Sequence, residues 1–152
     1  MVAETSNRIE KRIFLRAPRS RVWRALTTPE EFGRWFGARL EGDFRVGAIS
    51  SGGLTIGGFE HLTLELEIAA IEAEHYFAFR WHPYAVEADV DYTSEAKTLV
   101  EFRLEEAPGG TALSVVESGF ELIPAGRRSK ALESNDGGWA IQVQNIARYV
   151  AA

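Results

Sequence analysis

The segment Thr98–Phe120, TLVEFRLEEAPGGTALSVVESGF, decides the fold. Val100, Phe102 and Leu104 alternate with Glu101, Arg103 and Glu105, the period-2 pattern of a strand with one apolar and one solvated face. Pro108-Gly109-Gly110 is a hairpin turn signal, and a second strand is expected from Thr111 to about Phe120. Leu113 and Val115 set its inward parity, and the same count sends Glu117 inward.

The same alternation recurs upstream. Phe77, Phe79 and Trp81 alternate with Ala78, Arg80 and His82, and Leu62, Leu64, Leu66 and Ile68 alternate with Thr63, Glu65 and Glu67. A strand is also expected over Leu40, Gly42, Phe44 and Val46, followed by one weak strand and a turn in the Gly-rich stretch 47–58. Residues 83–96 read as a polar loop. Near the start, Ile9, Ile13 and Leu15 share a face with Lys11. Strands this regular are antiparallel, each with one face in water.

Two short helices are expected after the first strand. Ala17-Pro18 breaks it, and Val22, Trp23 and Leu26 give the first helix an apolar stripe. Thr28-Pro29-Glu30-Glu31 has the form of a capping box, Thr28 as N-cap and Glu31 at N3, opening a second helix that buries Phe32, Trp35 and Phe36. The chain ends in a helix whose stripe is Trp139, Val143, Ile146 and Val150. Gly137-Gly138 costs that helix about 2 kcal/mol relative to alanine. The reading is one long helix with a weak point there.

Strands in a run with segregated helices indicate an α+β fold: a curved antiparallel sheet of about six to seven strands wrapped on the long C-terminal helix. The 152 residues suit one domain, taken as 8–150 with an N-terminal tail over 1–7. Net charge is −5, from 17 basic and 22 acidic residues, which argues against a nucleic-acid footprint. Absence of cysteine excludes disulfides and thiolate chemistry, and no apolar run predicts a membrane span. With no secretory signal at Met1–Asn7, a cytoplasmic location is expected.

Ala17-Pro18 leading to Val22-Trp23, then Thr28-Pro29-Glu30 and Trp35-Phe36, resembles the opening of the START-like (SRPBCC) superfamily. Phe79-Arg80-Trp81, Thr98–Phe102, Gly110–Leu113, Glu117–Phe120 and Gly138-Trp139 extend the likeness across Arg8–Val150. The branch it looks most like is that of the activator of Hsp90 ATPase. The resemblance implies a helix-grip fold with a hydrophobic cavity. It also brings a range of activities: lipid and hormone binders, polyketide cyclases, self-sacrifice resistance proteins and co-chaperone domains. No additional domain for the co-chaperone role is expected.

The aromatic set Trp35, Phe36, Phe44, Phe79, Trp81, Phe102, Phe120 and Trp139 either lines a pocket for an apolar or aromatic molecule or fills the core. Trp35, Phe36 and Trp139 are expected nearest its mouth. Val143 and Ile146 on the helix, and Glu117 on the sheet, complete the expected ligand pocket. Glu117 in an apolar cavity could anchor a ligand or act as an acid or base. A Lys11–Glu117 pair across the first and last strands is open, as is a bulge before Ser118-Gly119 that would turn Glu117 to solvent. His61, His75 and His82 form no metal motif, His82 being expected in solvent, and no nucleophile or phosphate-binding motif is present. No catalytic residue, metal or cofactor is assigned.

The functional readings are a small-molecule binding protein, an enzyme of cyclase or hydrolase type using Glu117, and a co-chaperone-like interaction domain. Homodimerisation is left open.

Overall fold

The computed structural model describes residues 7–83 and 91–151. Of the expected N-terminal tail only Asn7 falls within them, and much of the polar loop 83–96 lies outside the described residues. Six strands form one antiparallel sheet: β1 (Arg8–Leu15), β2 (Ile49–Gly53), β3 (Thr63–Glu72), β4 (Tyr76–Trp81), β5 (Thr98–Ala107) and β6 (Gly110–Ser118). Their order across the sheet is β1-β6-β5-β4-β3-β2. Two short helices, α1 (Arg19–Thr27) and α2 (Pro29–Phe36), follow β1, and α3 (Ala125–Ala151) closes the chain. This is the helix-grip α+β architecture.

The decisive hairpin forms as its alternation requires. β5 and β6 pair from Leu99↔Ser118 to Ala107↔Gly110 without a register shift, around Pro108 and Gly109. Gly109 takes φ 84°, a left-handed conformation that side chains disfavour. The β1–β6 register is equally unbroken, from Arg8↔Ser118 to Leu15↔Thr111. No bulge therefore precedes Ser118, and Glu117 keeps its inward parity.

The reading of 40–46 as a strand is corrected by the structure. Strand pairing over 38–46 is limited to the isolated bridges Ala38↔Leu54 and Glu41↔Ser51. Gly42 and Gly47 adopt φ 101° and 87°, which breaks the pleat on either side of Phe44. Phe44 is nonetheless buried, while Val46 is exposed. The weak strand expected in 47–58 is β2. A Cβ on Gly52 would stand 1.6 Å from the Arg39 carbonyl oxygen, so the crossing of 38–41 over β2 requires glycine there.

α2 starts where expected but without the expected capping bonds. Pro29 occupies the first turn and Thr28 is the N-cap, but the Thr28 side chain makes no capping hydrogen bond. Glu31 does not close a capping box either. It accepts hydrogen bonds from Arg21 Nη1 at 2.7 Å, Arg24 Nε at 3.1 Å and the Tyr149 hydroxyl at 3.1 Å, joining α1, α2 and α3. Burial of this carboxylate opposes its charge, yet the hydrogen bonds from Arg21 and Tyr149 outweigh that and hold it below the usual carboxylate range.

α3 runs unbroken through Gly137-Gly138 for 27 residues. It buries Trp139, Val143, Ile146 and Val150, the expected stripe, together with Ala131. This face lies on the concave side of the sheet, where Leu66, Ile68, Phe77, Phe79, Phe102 and Leu113 are all at most 2% exposed. Its first turn is tied to the β4–β5 connection: Arg127 donates to Glu95 Oε1 at 2.9 Å and to the Pro83 carbonyl at 2.9 Å. Among the described residues no helix is long and apolar enough to cross a membrane.

Candidate functional site

Glu117 is the centre of the interior. The sheet register places it in one inward row with Ile9, Val100, Phe79 and Ile68. Its residue exposure is 0%. A lone carboxylate there would cost several kcal/mol in lost hydration. Four side chains from three elements answer that cost. The Trp81 indole donates to Oε2 at 2.7 Å and the Thr98 hydroxyl to the same oxygen at 2.5 Å. The Trp139 indole donates to Oε1 at 2.9 Å. The Asn135 amide nitrogen bridges both oxygens, at 3.0 Å and 3.1 Å.

Local structure explains each donor. Trp81 and Thr98 are cross-strand partners on β4 and β5, one step from the Val100↔Glu117 pair. Asn135 and Trp139 are four residues apart on α3, so they share the face that meets the sheet. The carboxylate is thus a polar knot between sheet and helix, and no buried side-chain polar atom is left unsatisfied among the described residues. Every contact runs from a donor to an oxygen, the pattern an acceptor-only carboxylate demands.

Lys11 does not join this knot. It stands opposite Val115, with Ile9 opposite Glu117. Its ammonium reaches out to Asp136 Oδ1 at 3.0 Å on the neighbouring helix. The inward parity of Lys11 is right, but its long stem carries the charge past the core to the rim.

The aromatic residues form a continuous packing around the knot. The rings of Trp81 and Trp139 lie 5.8 Å apart at 31°. Phe102 meets Trp139 edge-on at 5.8 Å, Phe79 meets Trp81 at 5.2 Å and Phe36 meets Trp81 at 5.8 Å. Phe44 is further away, stacked on Phe77 at 5.4 Å. Trp35 turns its indole to the Ala25 carbonyl, 2.9 Å away, and packs on Phe32 at 4.6 Å. Trp35 therefore braces α2 on α1, while Phe36 packs on Trp81 and Trp139 bonds Glu117 directly. Val143 and Ile146 continue the buried face of α3 below Trp139, and Phe120 is fully buried in the turn after β6.

Two partners of Glu117, Thr98 and Asn135, were not among the expected site residues. Both carry a sequence signal: Thr98 shares parity with Val100, and Asn135 precedes Trp139 by one helical turn. His82 also departs from expectation, being half-buried with Nε2 3.1 Å from the Glu95 carbonyl oxygen. Among the described residues no three His, Asp or Glu side chains are grouped to hold a metal ion.

Solved structures share the fold over nearly the whole chain. Protein MLL2253 from Mesorhizobium loti is 23% identical, with a TM-score of 0.75 and coverage of 95% of this chain and 96% of that one. DynU16, a protein from the dynemicin biosynthetic locus, is 21% identical with a TM-score of 0.74, this chain spanning 48% of it and matching over 97% of its own length. The Aha1 dimer from Colwellia psychrerythraea is 15% identical with a TM-score of 0.69, covering 94% of this chain and 95% of that chain. No curated protein matches the sequence significantly. The family model described as activator of Hsp90 ATPase homolog 1-like protein matches residues 16–151, and the chain belongs to that family.

Proposed function

We propose that this protein binds a small apolar or aromatic molecule between its sheet and α3, with Glu117 as the polar anchor. The observation that carries this reading is Glu117 itself, fully buried and held by two indole N–H groups, a hydroxyl and an amide. Stability alone gives little reason to keep such a group. The cost of burying a carboxylate roughly offsets the gain from its hydrogen bonds, and a well-packed apolar side chain would serve the core as well. A polar group fixed among Phe36, Phe79, Trp81, Phe102 and Trp139 is the composition of a ligand site: apolar walls with a few placed polar atoms. Val143 and Ile146 are assigned to its helical wall, and Trp35 and Phe44 to its outer support.

Binding is favoured over cyclase- or hydrolase-type catalysis because the four partners of Glu117 are two indoles, a hydroxyl and an amide, which leaves it without a second acid–base side chain. Residues 8–150 are taken as the functional unit, at work in the cytoplasm. Self-association belongs to the same reading, since the Colwellia Aha1 is a dimer. The test is a thermal-shift screen of apolar and aromatic compounds, followed by native mass spectrometry of the freshly purified protein. A ligand at about 100 times its Kd should stabilise the native state by about 2.7 kcal/mol. No shift with any compound, and no co-purified small molecule, would contradict it.

A further inference from the structure

The proposed pocket leaves open what kind of polar group its ligand brings to Glu117. All five hydrogen bonds to this carboxylate come from uncharged donors, and none of the ion pairs among the described residues includes it. Lys11, the cation on the adjoining strand, is engaged by Asp136 at 3.0 Å. The surround is aromatic: Trp81 and Trp139 are 5.8 Å apart, with Phe36 and Phe102 against them at 5.8 Å each. A carboxylate that accepts only from uncharged groups suits a cation, to which its oxygens give charge-assisted hydrogen bonds. The same charge repels a carboxylate ligand.

The four donors are not equivalent. The bonds from Trp81, Thr98 and Trp139 are fully buried, whereas those from Asn135 are only partly so. Asn135 Nδ2 sits 3.0 Å and 3.1 Å from the two oxygens, so a single nitrogen bridges both. That is the seat an ammonium nitrogen would take, with an N–H for each oxygen. Moving the half-buried Asn135 side chain aside frees one acceptor position on each oxygen and leaves the three buried bonds intact.

We propose that the ligand of this site is an apolar or aromatic primary amine, bound as its ammonium, whose nitrogen replaces the Asn135 amide on Glu117. This rests on the binding function proposed above. The probe is 3-phenylpropan-1-amine, compared at pH 7 with 3-phenylpropan-1-ol and 3-phenylpropanoate by titration calorimetry on the full chain. The amine should bind roughly tenfold or more tighter than the alcohol, the scale of one charge-assisted hydrogen bond, and the carboxylate weakest. Glu117→Gln should abolish the preference for the amine while leaving the alcohol bound. Asn135→Ala should strengthen amine binding, because no donor has to be displaced. That variant decides the matter should Glu117→Gln fail to fold, and an unchanged or weakened amine affinity in it overturns the proposal. So does a preference that survives Glu117→Gln. Equal binding of amine and alcohol overturns the amine inference alone, whereas no binding of any probe overturns it and the binding function together.

Discussion

At the scale of single residues, Glu117 shows how parity and hydrogen bonding divide the work. Its inward direction follows from Leu113 and Val115, four and two residues before it. What receives it does not follow from parity, because Asn135 and the indoles of Trp81 and Trp139 come from elements 18 to 36 residues away in sequence. The pairing with Lys11 fails for the same reason: period 2 gives a side chain's face, not where a flexible stem ends. Removing one donor without changing shape isolates its worth. Thr98→Val should cost about 1–3 kcal/mol in chemical denaturation, since it leaves a buried carboxylate one donor short. A second titratable group gives a pH test. Tyr76 is raised from 10.0 to about 12 by burial, then by its hydrogen bond to Glu101. A raised folded-state value favours the protonated phenol, so Tyr76 contributes its full stability below about pH 10 and loses it as the pH rises toward 12. Phenolate absorbance should show a tyrosine ionising toward pH 12, and Tyr76→Phe should remove that step.

Among the elements, α3 and the 40–46 segment make the useful contrast. The α3 stripe recurs over about three turns, with Trp139, Val143, Ile146 and Val150 buried, so packing against the sheet overrides the poor helix propensity of Gly137-Gly138. In 40–46 the alternation is as regular, but Gly42 and Gly47 sit at left-handed φ and leave only isolated bridges. Alternation identifies an extended chain with a buried side. It does not identify a partner strand, which is why Phe44 ended inside while its segment did not join the sheet. The glycine pair in α3 is open to improvement, since a Cβ at Gly137 or Gly138 meets nothing within 4 Å. Gly137→Ala and Gly138→Ala should each stabilise the protein by about 0.5–1 kcal/mol. A loss of stability in thermal melts would mean that the helix bends at this point.

For the molecule as a whole, the need to bury one sheet face and one helix stripe dictates the helix-grip arrangement, independently of any site. The size of the space between them was not readable, because periodicity gives the side a ring faces and not how closely it meets its neighbours. The rings of Phe36, Phe79 and Phe102 pack on Trp81 and Trp139, whose indoles hold Glu117, so the packing and the carboxylate's partners are one structure. Trp139→Ala should therefore cost more than an ordinary cavity, about 3–5 kcal/mol for the lost ring with a lost hydrogen bond added. The Glu117 carboxylate joins sheet to helix through two indoles. The most direct test of that link is the indole N–H spectrum of the nitrogen-15-labelled protein, before and after Glu117→Gln. Of the four tryptophans, the Trp81 and Trp139 signals should move strongly and lose protection from hydrogen exchange. Trp35, bonded to the Ala25 carbonyl, should hold its position along with Trp23. Four indole signals unchanged by the substitution would contradict the account.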